Sequence, residues 1–324
     1  MDRDKSLILS YLLDGKGGGQ LMDWSQIGQW SENDGLLWIH LDYTREHAIE
    51  WLKTESGLDE LVVSALVSED PRPRSTAMFD GLLVMMRGVN MNPGADPEDM
   101  VSIRMWVTDN RIITTRKRKL LSVSDMSNAI EKGRGPTSAG EFLTSIAERL
   151  VERMSDVVGD IDDKTDLLED QVLTEKSHQL RTKIADLRRE AISLRRYLSP
   201  QRESMTRLYS ERVSWLTDMD RLHLREAADD TMRYIEDLDA AREKAIVIQE
   251  ELMSSISEQM DKRMYVLSII SAIFLPLGFL TGLLGVNVGG IPGAEYKGAF
   301  LVFCLMLAAV VIMQFIFFKK MKWM

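Results

Sequence analysis

The sequence predicts an α+β domain that continues into long helices and ends in two membrane-spanning helices. Short apolar or alternating runs fill the first part of the 324-residue chain, and apolar residues at three- and four-residue spacing follow from about Ser138. Charged side chains are almost absent from residues 265–318, where only Glu295 and Lys297 carry a charge. The length suggests about two domains, and this distribution of charge makes the second a membrane unit.

The first part of the chain alternates predicted strands and helices. Residues 44–57, with Thr44 as N-cap and Gly57 as stop, predict one helix, and residues 58–70 predict another. The glycine-rich residues 14–19 lack the spacing of a phosphate-binding loop and predict a hairpin turn. Strands are predicted at LILSYLL (7–13), LLWIHLDY (36–43), GLLVMMRGVN (81–90), VSIRMWV (101–107) and RIITT (111–115).

Three long helices are predicted after this part. The first covers residues 140–173, and the second covers residues 177–198 and stops before Pro200, because proline disrupts a helix interior. No proline or glycine occurs between Pro200 and Pro276, which predicts one helix over residues 216–284, about 100 Å long.

The third helix has two faces at 100° per residue. Its apolar face recurs at three- and four-residue spacing, and its opposite face is acidic. The acidic face is either a solvated outer surface or the lining of a cation path. The apolar residues are Ile235, Leu238, Ala241, Ala245, Ile248, Leu252, Ile256 and Met260, and the acidic residues are Glu236, Glu243, Glu250 and Asp261.

Residues 265–284 and 299–318 are two uncharged runs, each about 30 Å long as a helix, which is the thickness of a bilayer core. A buried hairpin in a soluble core is the disfavoured alternative, since such helices seldom lack a polar stripe. The first run carries a stripe of small and polar residues that either allows close helix contact or lines a narrow pore. Both interpretations require several copies of the chain. The stripe residues are Met264, Ser268, Ser271, Leu275, Gly278, Gly282 and Gly285.

Charge also predicts partners and orientation. The net charge of −10 argues against nucleic acid, and Cys304, the single cysteine, excludes an intrachain disulfide.

Lysine and arginine residues stand just before the first span and just after the second. The positive-inside rule therefore places both termini in the cytoplasm. The predicted layout is a cytoplasmic α/β domain (1–137), a cytoplasmic helical stalk (138–264), a first transmembrane pore helix (265–284), a periplasmic loop (285–298), a second transmembrane helix (299–318) and a cytoplasmic basic tail (319–324).

The tripeptide Gly285-Val286-Asn287 stands directly after the first span and before the second. It resembles the signature of the CorA superfamily of divalent cation transporters, whose magnesium-transporting members have Met in place of Val286. Followed by VGGIPG, it is similar to the ZntB zinc transporter branch. WIHLDY, EDPRPR, RGVNMNPGADPEDMVSIRMWV, ITTR and GRGPTSAGEFL also resemble that branch, so the resemblance covers the whole chain.

The resemblance implies a funnel-shaped homopentamer in the bacterial inner membrane, with Zn²⁺ as the transported ion and no cofactor. Five first spans would surround the pore, with the stripe residues and Asp261 facing it, and Glu236, Glu243 and Glu250 would line the cytoplasmic funnel. Five Asn287 side chains would form a ring of neutral amide oxygens at the outer mouth, suited to a hydrated ion. The alternative is that Asn287 only caps the helix.

Zinc selectivity comes from the resemblance alone. The four histidines, His40, His47, His178 and His223, are scattered, and no CxxC, HxxxH or HExxH motif occurs. Direction and coupling are likewise implied by the resemblance alone, which favours proton-linked uptake over efflux, although neither span contains Asp or Glu to carry protons. The other interpretations are a broader channel for magnesium, cobalt, nickel or cadmium, and a membrane-anchored scaffold or sensor. No nucleophile–base set indicates an enzyme.

Overall fold

The structure, a computed structural model, describes residues 3–174, 178–286, 291, 293 and 296–321. It forms two compact units, residues 1–250 and residues 251–324. The strands of the described chain are β1 (Leu7–Leu13), β2 (Gly19–Leu21), β3 (Leu37–Asp42), β4 (Arg74–Met78), β5 (Gly81–Gly88), β6 (Val101–Val107) and β7 (Arg111–Arg116). The α-helices are α1 (Arg3–Ser6), α2 (Trp24–Gln29), α3 (Glu46–Thr54), α4 (Glu60–Leu66), α5 (Leu121–Glu131), α6 (Ala139–Thr174), α7 (His178–Ser210), α8 (Asp218–Leu284) and α9 (Ala299–Lys320).

The strands form one mixed sheet in the order β2-β1-β3-β7-β6-β5-β4. Neighbouring strands are antiparallel except β3 and β7, which pair in parallel with Leu37 opposite Arg111 and Asp42 opposite Arg116. All five predicted strands are confirmed. The remaining two, β2 and β4, lie at the two edges of the sheet.

Both faces of the sheet are covered by helices. One face packs against α2, α3 and α4 around Trp51, Leu52 and Leu66. The other packs against α5, α6 and α7 and the first turns of α8, around Trp38, Phe142 and Leu224. The α+β prediction is therefore confirmed, with the sheet as the middle layer of the first unit.

Two local predictions for the sheet unit have different outcomes. The glycine-rich turn is confirmed: the Asp14 carboxylate accepts hydrogen bonds from the amides of Lys16 (2.7 Å) and Gly18 (2.9 Å) between β1 and β2. The prediction that Thr44 caps α3 is wrong. The hydroxyl of Thr44 donates instead to the Asp42 carboxylate at 2.6 Å, and Arg45 occupies the cap position.

The predicted end of the second long helix at Pro200 is also wrong, because α7 continues through Pro200 to Ser210. Tertiary contacts beyond the proline favour this continuation. The Gln201 side-chain oxygen accepts the backbone N–H of Arg87 at 2.7 Å, and the carbonyl of Ser204 accepts the Ser75 hydroxyl at 2.8 Å. These contacts with β5 and β4, together with buried apolar side chains, offset the cost of an internal proline, about 3 kcal/mol.

The third long helix is confirmed as α8, with 67 residues. Its predicted apolar face is buried from Ile235 to Ile248 in the first unit, and Leu252, at the start of the second unit, is buried as well. In the second unit Met260 is 60% exposed, so the buried face does not extend as far as the periodicity predicted. Within the described residues, α8 and α9 are the two helices long and apolar enough to cross a membrane.

Candidate functional site

The second span contacts one side of the first. Within the second unit, the Gln314 amide nitrogen of α9 donates to the carbonyl oxygen of Ala272 in α8 at 3.1 Å. The half-buried residues of this part of α8 surround that contact and mark the side against α9. They are Ile269, Ala272, Ile273, Pro276, Leu277 and Leu280.

The small and polar stripe lies on the other side of the first span. At 100° per residue it is centred about 150° away from the side that meets α9. All of its residues from Met264 to Gly285 are exposed, with Leu275 at 74%. A Cβ atom added at Gly278 or Gly282 would meet no atom of the described residues within 4 Å. The chain therefore leaves uncovered the face whose composition suits close contact between helices or an ion path.

The described part of the Gly285-Val286-Asn287 tripeptide is its first two residues. Helix α8 ends at Leu284, and the amide of Gly285 donates to the carbonyl of Thr281 at 2.9 Å. A Cβ atom at Gly285 would lie 2.6 Å from that carbonyl oxygen, which explains why glycine is required at this close approach. Asn287, and with it both interpretations of its role, lies outside the described residues.

The four acidic residues predicted on one face of α8 are exposed. Glu236, Glu243 and Glu250 lie on the side of the helix away from its buried apolar face. The Glu243 carboxylate is 3.8 Å from the guanidinium of Arg242, and Asp261 is exposed in the second unit. This exposure fits a solvated outer surface and an acidic lining equally well.

The histidines occupy separate environments. His40 is fully buried, and its Nδ1 lies 2.8 Å from the Thr114 hydroxyl. Burial, together with the nearby charge of Arg116, lowers the pKa of His40 to about 3, so this imidazole is neutral at physiological pH. His223 Nδ1 lies 2.6 Å from a Glu148 oxygen, and His47 Nδ1 lies 3.3 Å from the Ser6 hydroxyl. The side chain of His178 lies outside the described residues.

Metal-ligating side chains do not converge in the described part of the chain. No group of three His, Cys, Asp or Glu residues there could hold a metal ion.

Gln314 is a residue of this site that the sequence alone does not predict. The available signal was one amide side chain within an otherwise apolar run, together with a proline in the other span. Neither observation alone shows that the Gln314 side chain meets the carbonyl of Ala272.

Together these features describe a protein with a mixed-sheet domain, long helices and two apolar helices near its C-terminus. The family described as CorA-like Mg²⁺ transporter protein matches residues 33–320. The chain therefore belongs to the CorA family of metal ion transporters and is not an enzyme.

Two curated relatives match almost the full chain. One is the zinc transport protein ZntB of Yersinia pseudotuberculosis, 38% identical over 317 residues, which cover 98% of this chain and 96% of the relative. The other is the divalent cation transporter CmaX of Pseudomonas aeruginosa, 38% identical over 328 residues, which cover 99% of this chain and 98% of the relative.

Solved structures support the same fold. The structure of full-length CmaX superimposes with a TM-score of 0.85 at 39% identity and covers 98% of each chain. The complete CorA magnesium transporter from Methanocaldococcus jannaschii superimposes with a TM-score of 0.82 over 98% of this chain and 99% of that chain. Its identity is 18%, so it supports the fold alone.

Proposed function

We propose that this protein carries divalent cations, with zinc as its principal substrate, across the bacterial inner membrane. The name of the ZntB relative supports zinc, and the name of the CmaX relative supports the wider class of divalent cations. The spans and their basic flanks support a two-span topology with both termini in the cytoplasm. Residues 285–298 then form the periplasmic loop.

The observation that carries this proposal is the uncovered stripe of the first span. Two spans of one chain cannot enclose an aqueous path, so transport requires an oligomer. In the proposed homopentamer the first spans surround the pore and the second spans form an outer ring. The second span meets the first on the side away from the stripe, as this arrangement requires. A scaffold or sensor that needs only an anchor would not require such a stripe.

The proposed path runs from the cytoplasm to the outer mouth. Glu236, Glu243 and Glu250 of each copy raise the local concentration of cations at its entrance, because rings of carboxylates attract them. Asp261 and the stripe line the middle. Gly285, Val286 and Asn287 form the outer mouth, where amide oxygens of five copies meet the ion.

We further propose proton-linked uptake, with efflux as the alternative. Neither span contains an Asp or Glu residue, so the coupling residues would lie outside the spans. Zinc flux into proteoliposomes, measured with and without a pH gradient of either sign, separates the two directions. Flux that increases when the outside is acidic supports uptake, and flux that increases only with the opposite gradient supports efflux.

Substitution at Gly278 tests the pore. Gly278→Leu should reduce zinc flux by at least about tenfold, because five leucine side chains would occupy space that the glycines leave open on the proposed pore face. Ala309→Leu is the matched control, since Ala309 is exposed on the side of α9 away from α8. Flux is compared at equal amounts of assembled protein, and native mass spectrometry reports the oligomeric state. Wild-type flux through Gly278→Leu, or a stable monomer or dimer, would contradict the pore.

A further inference from the structure

The first span contains a gap in its own hydrogen bonding. Pro276 lies inside α8 and has no backbone N–H. The carbonyl of Ala272, four residues earlier, therefore has no helical partner at that position. Inside a bilayer no water satisfies such a group, so another donor is needed.

The second span supplies that donor. Gln314 lies within α9, and its side-chain nitrogen donates to the Ala272 carbonyl oxygen at 3.1 Å. The Gln314 side chain is partly buried, and its carbonyl oxygen is buried without a partner in the described residues. An amide in this position costs desolvation of its own oxygen, so general packing does not explain its presence. The hydrogen bond to the Ala272 carbonyl explains why an amide side chain is present here.

The position of this contact connects it to the stripe. Ala272 and Pro276 face α9, on the side of α8 away from the uncovered stripe. Ser268 and Ser271 precede the break in the hydrogen-bond ladder, whereas Gly278 and Gly282 follow it. A helix bends most readily where proline removes a bond. The donor that fills the gap therefore sets the alignment of the two halves of the stripe.

We propose that Gln314 is a positioning residue for ion transport. Its amide holds the proline break of the first span in one geometry and so aligns the stripe along the proposed path. The transport readout of this inference rests on the proposed function. The bond itself can be tested separately through stability.

The test is a double-mutant cycle on Gln314 and Pro276 in the full-length protein. Gln314→Met keeps the length and approximate volume of the side chain but removes the donor. Pro276→Ala restores an N–H that can bond to the Ala272 carbonyl within the helix, so it makes the Gln314 donor unnecessary. Met313→Leu is the control, since Met313 is the exposed neighbour of Gln314 in α9.

In the wild-type background, Gln314→Met should lower maximal zinc flux about three- to tenfold, in the range of interhelical hydrogen bonds in membranes. The zinc concentration at half-maximal flux should stay unchanged, because the residue does not contact the ion. In the Pro276→Ala background the same substitution should change flux less than about twofold. If Gln314→Met alone fails to assemble, the zinc flux of the double variant is compared with that of Pro276→Ala. A difference of less than about twofold supports the positioning role, and a larger loss contradicts it.

Two outcomes would overturn the inference. Gln314→Met with wild-type flux removes the positioning role, and a loss of thermal stability in detergent beside that unchanged flux leaves only a structural role. An equal loss of flux in both backgrounds also removes the positioning role. If the wild-type protein itself moves no ion, the proposed function fails instead. The stability cycle then still tests the bond, since the destabilisation by Gln314→Met should disappear in the Pro276→Ala background. Its persistence there would show that the bond to the Ala272 carbonyl does not stabilise the break at Pro276.

Discussion

His40 is a titratable side chain enclosed in the core of the first unit. Its ring lies beside Trp38, with 6.2 Å between ring centroids, and its Nδ1 is held by Thr114. Burial and the charge of Arg116 both disfavour the imidazolium, whereas a hydrogen bond with the backbone of Thr114 favours it. The pKa of about 3 in the folded protein is therefore well below the value near 6.5 of an unfolded chain.

This difference predicts acid sensitivity of the first unit. Between pH 6.5 and 3 the unfolded chain binds a proton at His40 that the folded chain does not, so the free energy of unfolding falls as the pH falls. At pH 5 the loss should be about 2 kcal/mol relative to pH 7.5. The measurement is thermal unfolding between pH 7.5 and 5, followed by tryptophan fluorescence. His40→Asn, which retains a donor towards Thr114, should lose this part of the pH dependence. Equal acid shifts in both proteins would contradict the assignment.

Asn287 is the second residue for which a single substitution is informative. Asn287→Ala should abolish or strongly reduce zinc flux without loss of folded protein, because the proposed ring of amide oxygens at the outer mouth would be removed. Val288→Ala is the matched control in the same loop. The measurement is flux at equal amounts of assembled protein. Flux equal to wild type would limit Asn287 to the role of a helix cap.

At the scale of single elements, α7 shows how packing overrides a local rule. The helix continues through Pro200 because the residues after it contact the sheet. The Arg87 guanidinium lies 4.0 Å from the ring centroid of Tyr197, and the Gln201 side chain accepts the Arg87 backbone N–H. The residues on both sides of the proline thus contact the same strand, β5.

Gln201 should therefore be important for stability. Gln201→Met leaves the buried N–H of Arg87 without its acceptor and should cost about 1–3 kcal/mol of unfolding free energy. The control is Arg202→Met, because Arg202 is the exposed neighbour on the same helix. Denaturant unfolding followed by tryptophan fluorescence measures both. A loss in the control as large as in Gln201→Met would mean that the hydrogen bond is not the cause.

The strands and α7 together show how far the fold can be predicted from local sequence patterns. Strands β1, β3, β5, β6 and β7 carry clear apolar patterns, so the sequence indicates them. Strand β4, with the sequence RSTAM, shows no apolar alternation and forms because it pairs with β5, from Arg74 opposite Met85 to Met78 opposite Gly81. Strand β2 has three residues, too few for a pattern. Continuation through Pro200 depends on side chains more than 100 positions away in sequence, which local rules do not consider.

The candidate site was predictable to a similar degree. Periodicity alone places the stripe from Met264 to Gly285 on one helix face. The contact between Gln314 and Ala272 is different, because it depends on how α9 rotates about its own axis and on its register against α8. Neither quantity is encoded in a local pattern of either span.

For the whole molecule, the chemistry of the proposed path determines which ions it distinguishes. The stripe offers hydroxyl and backbone oxygens, one thioether and no thiolate or imidazole. Oxygen ligands discriminate poorly among divalent first-row metals. Selection among such ions therefore has to come from their hydration, size and charge rather than from direct ligation.

Competition between metals tests this expectation. Excess nickel, cadmium or cobalt outside proteoliposomes should reduce zinc flux, because these ions should enter the same oxygen-lined path. A monovalent salt at matched ionic strength is the control for general screening. Indifference to all three metals would indicate a dedicated zinc site, and His223 beside Glu148 would then be the first pair to substitute.

The position of the sheet unit in the chain determines the order of events during synthesis. Its core is completed by Leu224, Ala227 and Ala228 at the start of α8. The first apolar span begins about 37 residues later, which at ribosomal speed corresponds to roughly 2–7 s. Mixed sheet domains of this kind close in milliseconds to seconds even when strands as distant as β3 and β7 must meet. The nascent chain can therefore finish its sheet before the membrane insertion machinery receives any hydrophobic segment.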